Sequence, residues 1–373
     1  PGAGMCSAGM FADAMTALRL ATRRRGNATR LRMTTVSAIR ELFAELIDYA
    51  GLFPPARLPI EEALRNFAAY RSDRYAWILG RFVCPTTTMA DLASGAVEIP
   101  GDVDHAGGDA APWRLSALGR SGADERAFVH GVEADVEAIL ELMTARAGRV
   151  VVDSLETKLP ADVMASCREG GVAKTLMRVA GTVDRIAPML AGNRPRVFLE
   201  VALDGDWRAG VGGLAKAVHR VNQERGESQR PTRLGLKIRT GGVKASMIPP
   251  LEQVAFLIHR CRDEGVSFKA TAGLHHPLRR DAPEVGAKMH GFVNLFGAAV
   301  MAHSRALSEG AIREMLADES SGAFRLDDDG LTWRDHHASA GDIAAARANL
   351  AVSFGSCSVD EPVDDSKRLG FLR

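Results

Sequence analysis

Two lysines in this chain stand inside apolar runs, one in "LGLKIRTGG" (234–242) and one in "VSFKATAGLHHP" (266–277). Lysine is almost never fully buried unless it is paired. Lys237 and Lys269 lie 32 residues apart, each in a short β-rich run, with one helix-patterned stretch between them. An ammonium in a water-poor cavity loses hydration, which favours the neutral amine, and a second ammonium close by acts in the same sense. A neutral lysine near pH 7 can attack a carbonyl and form an imine. The protonated imine then draws electrons from a neighbouring C–C bond. Making or breaking that bond also needs a proton shuttle, for which a carboxylate serves. Carboxylates late in apolar runs supply candidates: Asp48, Asp153 with Glu156, and Glu200. For either lysine alone, a structural ion pair with a buried acid is the plainer reading. Two on neighbouring segments point toward chemistry.

The elements that carry these residues must bring them to one place. From residue 36 onward, short apolar runs alternate with helix-period stretches. Eight runs predict strands, at 45–53, 76–84, 113–119, 149–156, 196–203, 233–239, 266–272 and 351–357. Continuous apolar runs suit strands covered on both faces, and their alternation with helices predicts right-handed βαβ units. Eight such units predict an α/β fold, a (β/α)8 TIM barrel. Insertions follow strands 2, 4 and 7, at 95–112, 161–193 and 308–345; the last contains "FRLDDDGLTWRD", whose Asp-Gly predicts a hairpin. An open doubly wound sheet is the rival, but it carries a glycine-rich phosphate loop after its first strand, where this chain has "PPARLP". Barrels of this kind gather functional groups at the C-terminal ends of their strands. That rule adds Cys84, Arg239, Thr240, His275, His276, Ser356 and Ser358 to the lysines and acids as the lining of one mouth.

The totals narrow the partners. With 46% hydrophobic residues, 25% charged residues and a formal net charge of +1, the chain lacks the basic excess of a nucleic-acid or membrane-surface binder. Its longest apolar runs are too short to span a bilayer. Cys6, Cys84, Cys167, Cys261 and Cys357 are scattered without a paired spacing, which reads as reduced thiols in a cytoplasmic protein. Residues 1–32 hold six arginines and one acid, Asp13, and read as a leader or a non-native start. Residues 33–373 read as a single barrel domain acting on a small-molecule substrate, without a cofactor or a bound metal, with a homo-oligomer left open.

Six segments, in order, resemble the deoxyribose-phosphate aldolase group of class I aldolases. "LIDYAGLFPP" is similar to that family's first strand at Ile47, Asp48 and Leu52, and "FVCP" to its Val-Cys-Val-x-Pro strand. "VVVDSLE" resembles the strand of the catalytic aspartate. "LKIRTGG" resembles the Schiff-base lysine strand at Lys237, Thr240 and Gly241. "VSFKATAGL" matches at Lys269, Ala270 and Gly273, and "SFGSCS" at Gly355, Ser356 and Ser358. The resemblance implies Lys237 as nucleophile, Lys269 as the charge that lowers its pKa, and Asp153 as proton shuttle. Ile238-Arg239 replaces the family's Thr-Ser, Ala272-Gly273 its glycine pair, and "VDEPVDD" puts acids where a phosphate would sit at a helix start. Aldolase chemistry on a small aldehyde or keto compound is therefore implied more directly than a phosphorylated sugar. Two other readings stay open: a metal-dependent lyase or hydrolase using His275 or His276 with Asp153, Glu156 and Glu200, and a non-catalytic barrel that binds a metabolite.

Overall fold

The apolar runs close on themselves. In the computed structural model, which describes residues 37–101, 111–168, 171–226 and 232–373, eight parallel strands with interleaved helices form a closed barrel. The first seven are β1 (Ile47–Tyr49), β2 (Leu79–Pro85), β3 (Trp113–Leu118), β4 (Val150–Lys158), β5 (Arg196–Glu200), β6 (Arg233–Arg239) and β7 (Phe268–Thr271). Beyond the barrel core come a hairpin of β8 (Arg280–Ala282) and β9 (Ala287–Met289), then an antiparallel sheet of β10 (Phe324–Leu326), β11 (Gly330–Trp333) and β12 (His336–Ser339). The last barrel strand, β13 (Ala351–Ser356), pairs with β7 and with β1 and completes the ring. Every barrel strand overlaps a run singled out in the sequence, and the Asp-Gly hairpin is present as β10–β11. The leader at 1–32, and residues 102–110 of the loop at 95–112, lie outside the described residues.

Local patterning explains the elements. The helix Leu251–Asp263 follows two prolines, buries Val254, Ala255, Leu257, Ile258 and Cys261, and gives way to Gly265, whose φ of +60° reverses the chain. The helix Phe292–Arg305 buries every residue from 292 to 302, so its apolar girth fills the space beside β13. Phe292 and Phe296 lie against Phe354 of that strand, with ring centroids 5.2 and 5.8 Å apart. Among the described residues, no helix is long and apolar enough to cross a membrane.

Alternation along the strands decides what faces the barrel axis. On β6, Leu236 and Ile238 are fully buried among apolar neighbours, while Lys237 and Arg239 line the interior. The register pairs Lys237 with Lys269, and Glu200 with Lys237, on adjacent strands. Strand pairing alone thus places two lysines and a carboxylate at one height.

Candidate active site

A cavity of about 760 Å³ opens at the C-terminal ends of the strands, and Lys237, Glu156 and Glu200 form part of its lining. Lys237 Nζ lies 2.8 Å from Glu156 Oε2 and 3.1 Å from Glu200 Oε2. The other oxygen of Glu156 accepts from Lys269 Nζ and, at 2.7 Å, from the hydroxyl of Ser116. Lys269 Nζ also lies 2.7 Å from Asp48 Oδ2, which accepts from Ser353 Oγ at the same distance. Glu156 therefore bridges the two lysines, one oxygen to each. Lys269 and Asp48 are sealed beneath, with side-chain exposures of 1% and 0%, and are absent from the cavity wall. Room for this buried layer is made by Gly235, where a Cβ would fall 2.6 Å from Ser267 O and 2.9 Å from the Phe198 ring.

The electrostatics reverse one expectation. Burial disfavours the Lys237 ammonium, but the charges of Glu156 and Glu200 outweigh burial, and its pKa lies above the ordinary lysine value. Burial likewise opposes the Glu156 carboxylate, and the two lysines outweigh it, holding the group well below the usual carboxylate range. Lys237 rests as an ammonium, not as the neutral amine that two adjacent lysines suggest, because each shares in a carboxylate that the one-dimensional pattern leaves unpaired.

Asp153 is not at this site. It lies at the opposite end of the barrel, where Arg81 donates to both of its oxygens and Arg114 Nη2 approaches to 3.0 Å. Burial opposes its charge, but Arg81 and Arg114 draw its pKa down to about 2. A β-bulge explains the misplacement: Leu115 pairs with Val152 and Ser116 with Ser154, leaving Asp153 unmatched in the N-terminal half of β4. Glu156, nearer the C-terminal end of the strand, is the carboxylate that β4 presents to the two lysines.

The remaining expected residues divide. Arg239 lines the cavity with its Nε 3.7 Å from Glu200 Oε1, and Ser356 lines it as well. Cys84 is excluded from the wall; its thiol packs against Thr88, and burial pushes its pKa up to about 11. Thr240 is spent on backbone ties, its hydroxyl donating to the carbonyls of Thr271 (3.1 Å) and Ala272 (2.6 Å). Ser358 turns its hydroxyl to the backbone N–H of Glu361 at the start of the helix Asp360–Arg368. His275 and His276 reach the cavity rim but pair with that same helix: His275 Nδ1 lies 3.1 Å from Glu361 Oε2, and His276 Nδ1 contacts Asp365. They do not join Asp153, Glu156 and Glu200. Among the described residues, no group of three His, Cys, Asp or Glu is placed to hold a metal ion.

Sequence reasoning missed Ser116, which holds Glu156, and Lys158, which lines the cavity without a hydrogen bond or ion pair among the described residues. Its signal was present: Ser154, Glu156 and Lys158 alternate along one face of β4, but the strand runs two residues past its apolar stretch. Comparison of the chain with family models, with curated proteins and with solved structures finds no match.

Proposed function

We propose that this protein is a class I aldolase or related carbon–carbon lyase, with Lys237 as the imine-forming nucleophile and a small aldehyde or keto compound as substrate. The observation that carries this reading is the lysine–carboxylate bridge at the cavity floor, in which only Lys237 of the two lysines meets the cavity. A buried ion-pair cluster contributes little net stability over an apolar core of equal volume. Its retention at the open end of a barrel favours a chemical use.

The ammonium is compatible with that use. As a carbonyl carbon comes within reach, Glu200 takes a proton from Lys237 Nζ, and the freed lone pair attacks, giving a carbinolamine. Protonation of its hydroxyl by the acid just formed releases water and leaves an iminium at Nζ. The iminium carries the same positive charge at the same atom as the resting ammonium, so Glu156 and Glu200 stabilise it without rearrangement. Glu156, tethered by Ser116 and Lys269, takes the proton-shuttle role, and Arg239 and Lys158 at the rim suit an anionic substrate group. No organic cofactor is needed. Cys84, Cys261 and Cys357 carry free thiols, in keeping with the cytoplasm.

A second reading uses the same ion pairs: a non-catalytic barrel that binds a metabolite, with both lysines as structural cations. Reductive trapping separates the two. Incubation with a panel of small aldehydes and keto acids plus borohydride gives a mass adduct that maps to Lys237 if it forms an imine. Lys237→Arg keeps the charge, cannot form the imine, and loses the adduct. An adduct on surface lysines alone, or one that survives in Lys237→Arg, removes the aldolase reading.

A further inference from the structure

The opposite end of the barrel holds a second cavity, of about 1140 Å³, and its chemistry differs from that of the mouth. Six arginines line it: Arg81, Arg114, Arg194, Arg196, Arg233 and Arg347. Only three carboxylates stand against them, those of Glu41, Glu45 and Asp153. Arg81 and Arg114 consume Asp153 and Glu45 in close ion pairs. Arg347 donates to the carbonyls of Ala44, Ala351 and Val352, and its Nε is buried without a hydrogen-bond partner. Among the described residues no carboxylate pairs with it, and burial lowers its pKa to about 10. Among the described residues Arg233 has a single long hydrogen bond, 3.5 Å to Asn222 O. Arg194 and Arg196 make no side-chain hydrogen bond or ion pair among the described residues. Burial and the repulsion of Arg81 and Arg114 both lower the pKa of Arg196.

Helix C-termini gather at this end of a (β/α)8 barrel and offer partial negative charge. One of them, the helix Ala38–Phe43, meets Arg347 through the carbonyl of its C-cap Ala44, the other two carbonyls being on β13, but among the described residues none meets Arg196, which projects from β5. Uncompensated guanidinium groups around a recess are the arrangement that binds oxyanions, since each presents donors in a fork matched to carboxylate and phosphoryl groups.

We propose that this cavity binds a multiply charged oxyanion, with Arg196 as its principal cation and Arg194, Arg233 and Arg347 around it. The site lies at the opposite end of the barrel from the mouth, and its test does not rest on the imine chemistry there. Several guanidinium groups spread around a recess with room for more than inorganic phosphate suit a larger polyanion of phosphoryl or carboxylate type.

Calorimetry and thermal melting of the full chain at constant ionic strength test this, with pyrophosphate and citrate as probes and chloride as the control. Wild type is expected to bind at least one probe saturably, with a rise in Tm. Pyrophosphate alone identifies phosphoryl chemistry, citrate alone carboxylate chemistry, and both a site that reads charge. Arg196→Gln weakens binding about tenfold or more, the loss of one charge-assisted hydrogen bond. Lys158→Gln, at the mouth, leaves it unchanged. Without anion, Arg196→Gln melts no lower than wild type, because it relieves repulsion between cations. The proposal is overturned if neither probe binds saturably, or if Arg196→Gln retains full affinity. It is also overturned if Lys158→Gln abolishes binding, or if anion-free Arg196→Gln melts well below wild type.

Discussion

Glu156 sets the protonation of the whole cluster, since its two oxygens serve two different lysines. While it is charged, Lys237 stays an ammonium, and each pH unit below the lysine pKa cuts the neutral fraction tenfold. Imine formation at Lys237 is therefore expected to accelerate with rising pH throughout the neutral range. Glu156→Gln removes one of the two charges that raise that pKa. The fold survives the change, because Glu200 still pairs with Lys237 and Asp48 with Lys269. Two effects then separate when trapping and carbon–carbon bond turnover are both measured against pH. The alkaline limb of trapping moves to lower pH, while turnover falls by about 100-fold, as for a lost proton shuttle. A limb that stays fixed, or moves upward, would show that another group holds the Lys237 proton.

At the scale of elements, the site depends on how closely β6 and β7 approach at the mouth. Just past the strand ends, Gly241 and Gly273 touch, and a Cβ on Gly241 would fall 2.7 Å from the Gly273 Cα. Both partners are backbone, so no side chain can yield, and Gly273 needs its φ of +76°. Gly241→Ala is expected to push the two loops apart and displace Arg239 from Glu200. Substrate affinity then weakens, while Lys237, lower on its strand, still traps. Equal loss of affinity and trapping would mean that the loop contact supports the cluster itself. The elements also show what was legible in the sequence. Lys237, Lys269, Glu200 and Asp48 were legible because a charge in an apolar run must face something. Asp153 misled because a bulge in β4 breaks the two-residue period, and a bulge leaves no compositional mark. The tethers Ser116 and Ser353 were illegible as well, since a serine in a strand is unremarkable until its partner is known.

At the scale of the whole molecule, the charged floor and the arginine-rich base are joined through one residue. Arg81 clamps Asp153 at the base, and its backbone N–H donates to Asp48 Oδ1 at 2.6 Å below the lysines. This chain of polar contacts runs through the barrel interior, and its acids stay charged in mild acid because the lysines and arginines beside them hold their pKa values down. Stability against mild acid is set instead by a histidine in the elaboration between β7 and β13. His290 is buried, with Nε2 2.9 Å from Pro249 O and Nδ1 without a hydrogen-bond partner. Burial lowers its pKa from 6.5 to about 4. A histidine whose folded pKa is depressed takes up its proton more readily in the unfolded chain. Stability is thus unaffected above pH 6.5 and declines as the pH falls from 6.5 toward 4, by on the order of 3 kcal/mol. The carboxylates count lower: Glu156, whose ordinary value is 4.5, and Asp153, at 3.8, are both held down in the fold and withdraw stability only from about pH 5 downward, so the decline above that is the histidine's. Urea unfolding measured at intervals from pH 7.5 to 4 is expected to show that decline in wild type. His290→Gln keeps a donor within reach of Pro249 O, cannot titrate, and flattens the curve. An unchanged slope in the variant would place the acid-sensitive proton on another group, with His275, whose pKa is also lowered by burial, the next to replace.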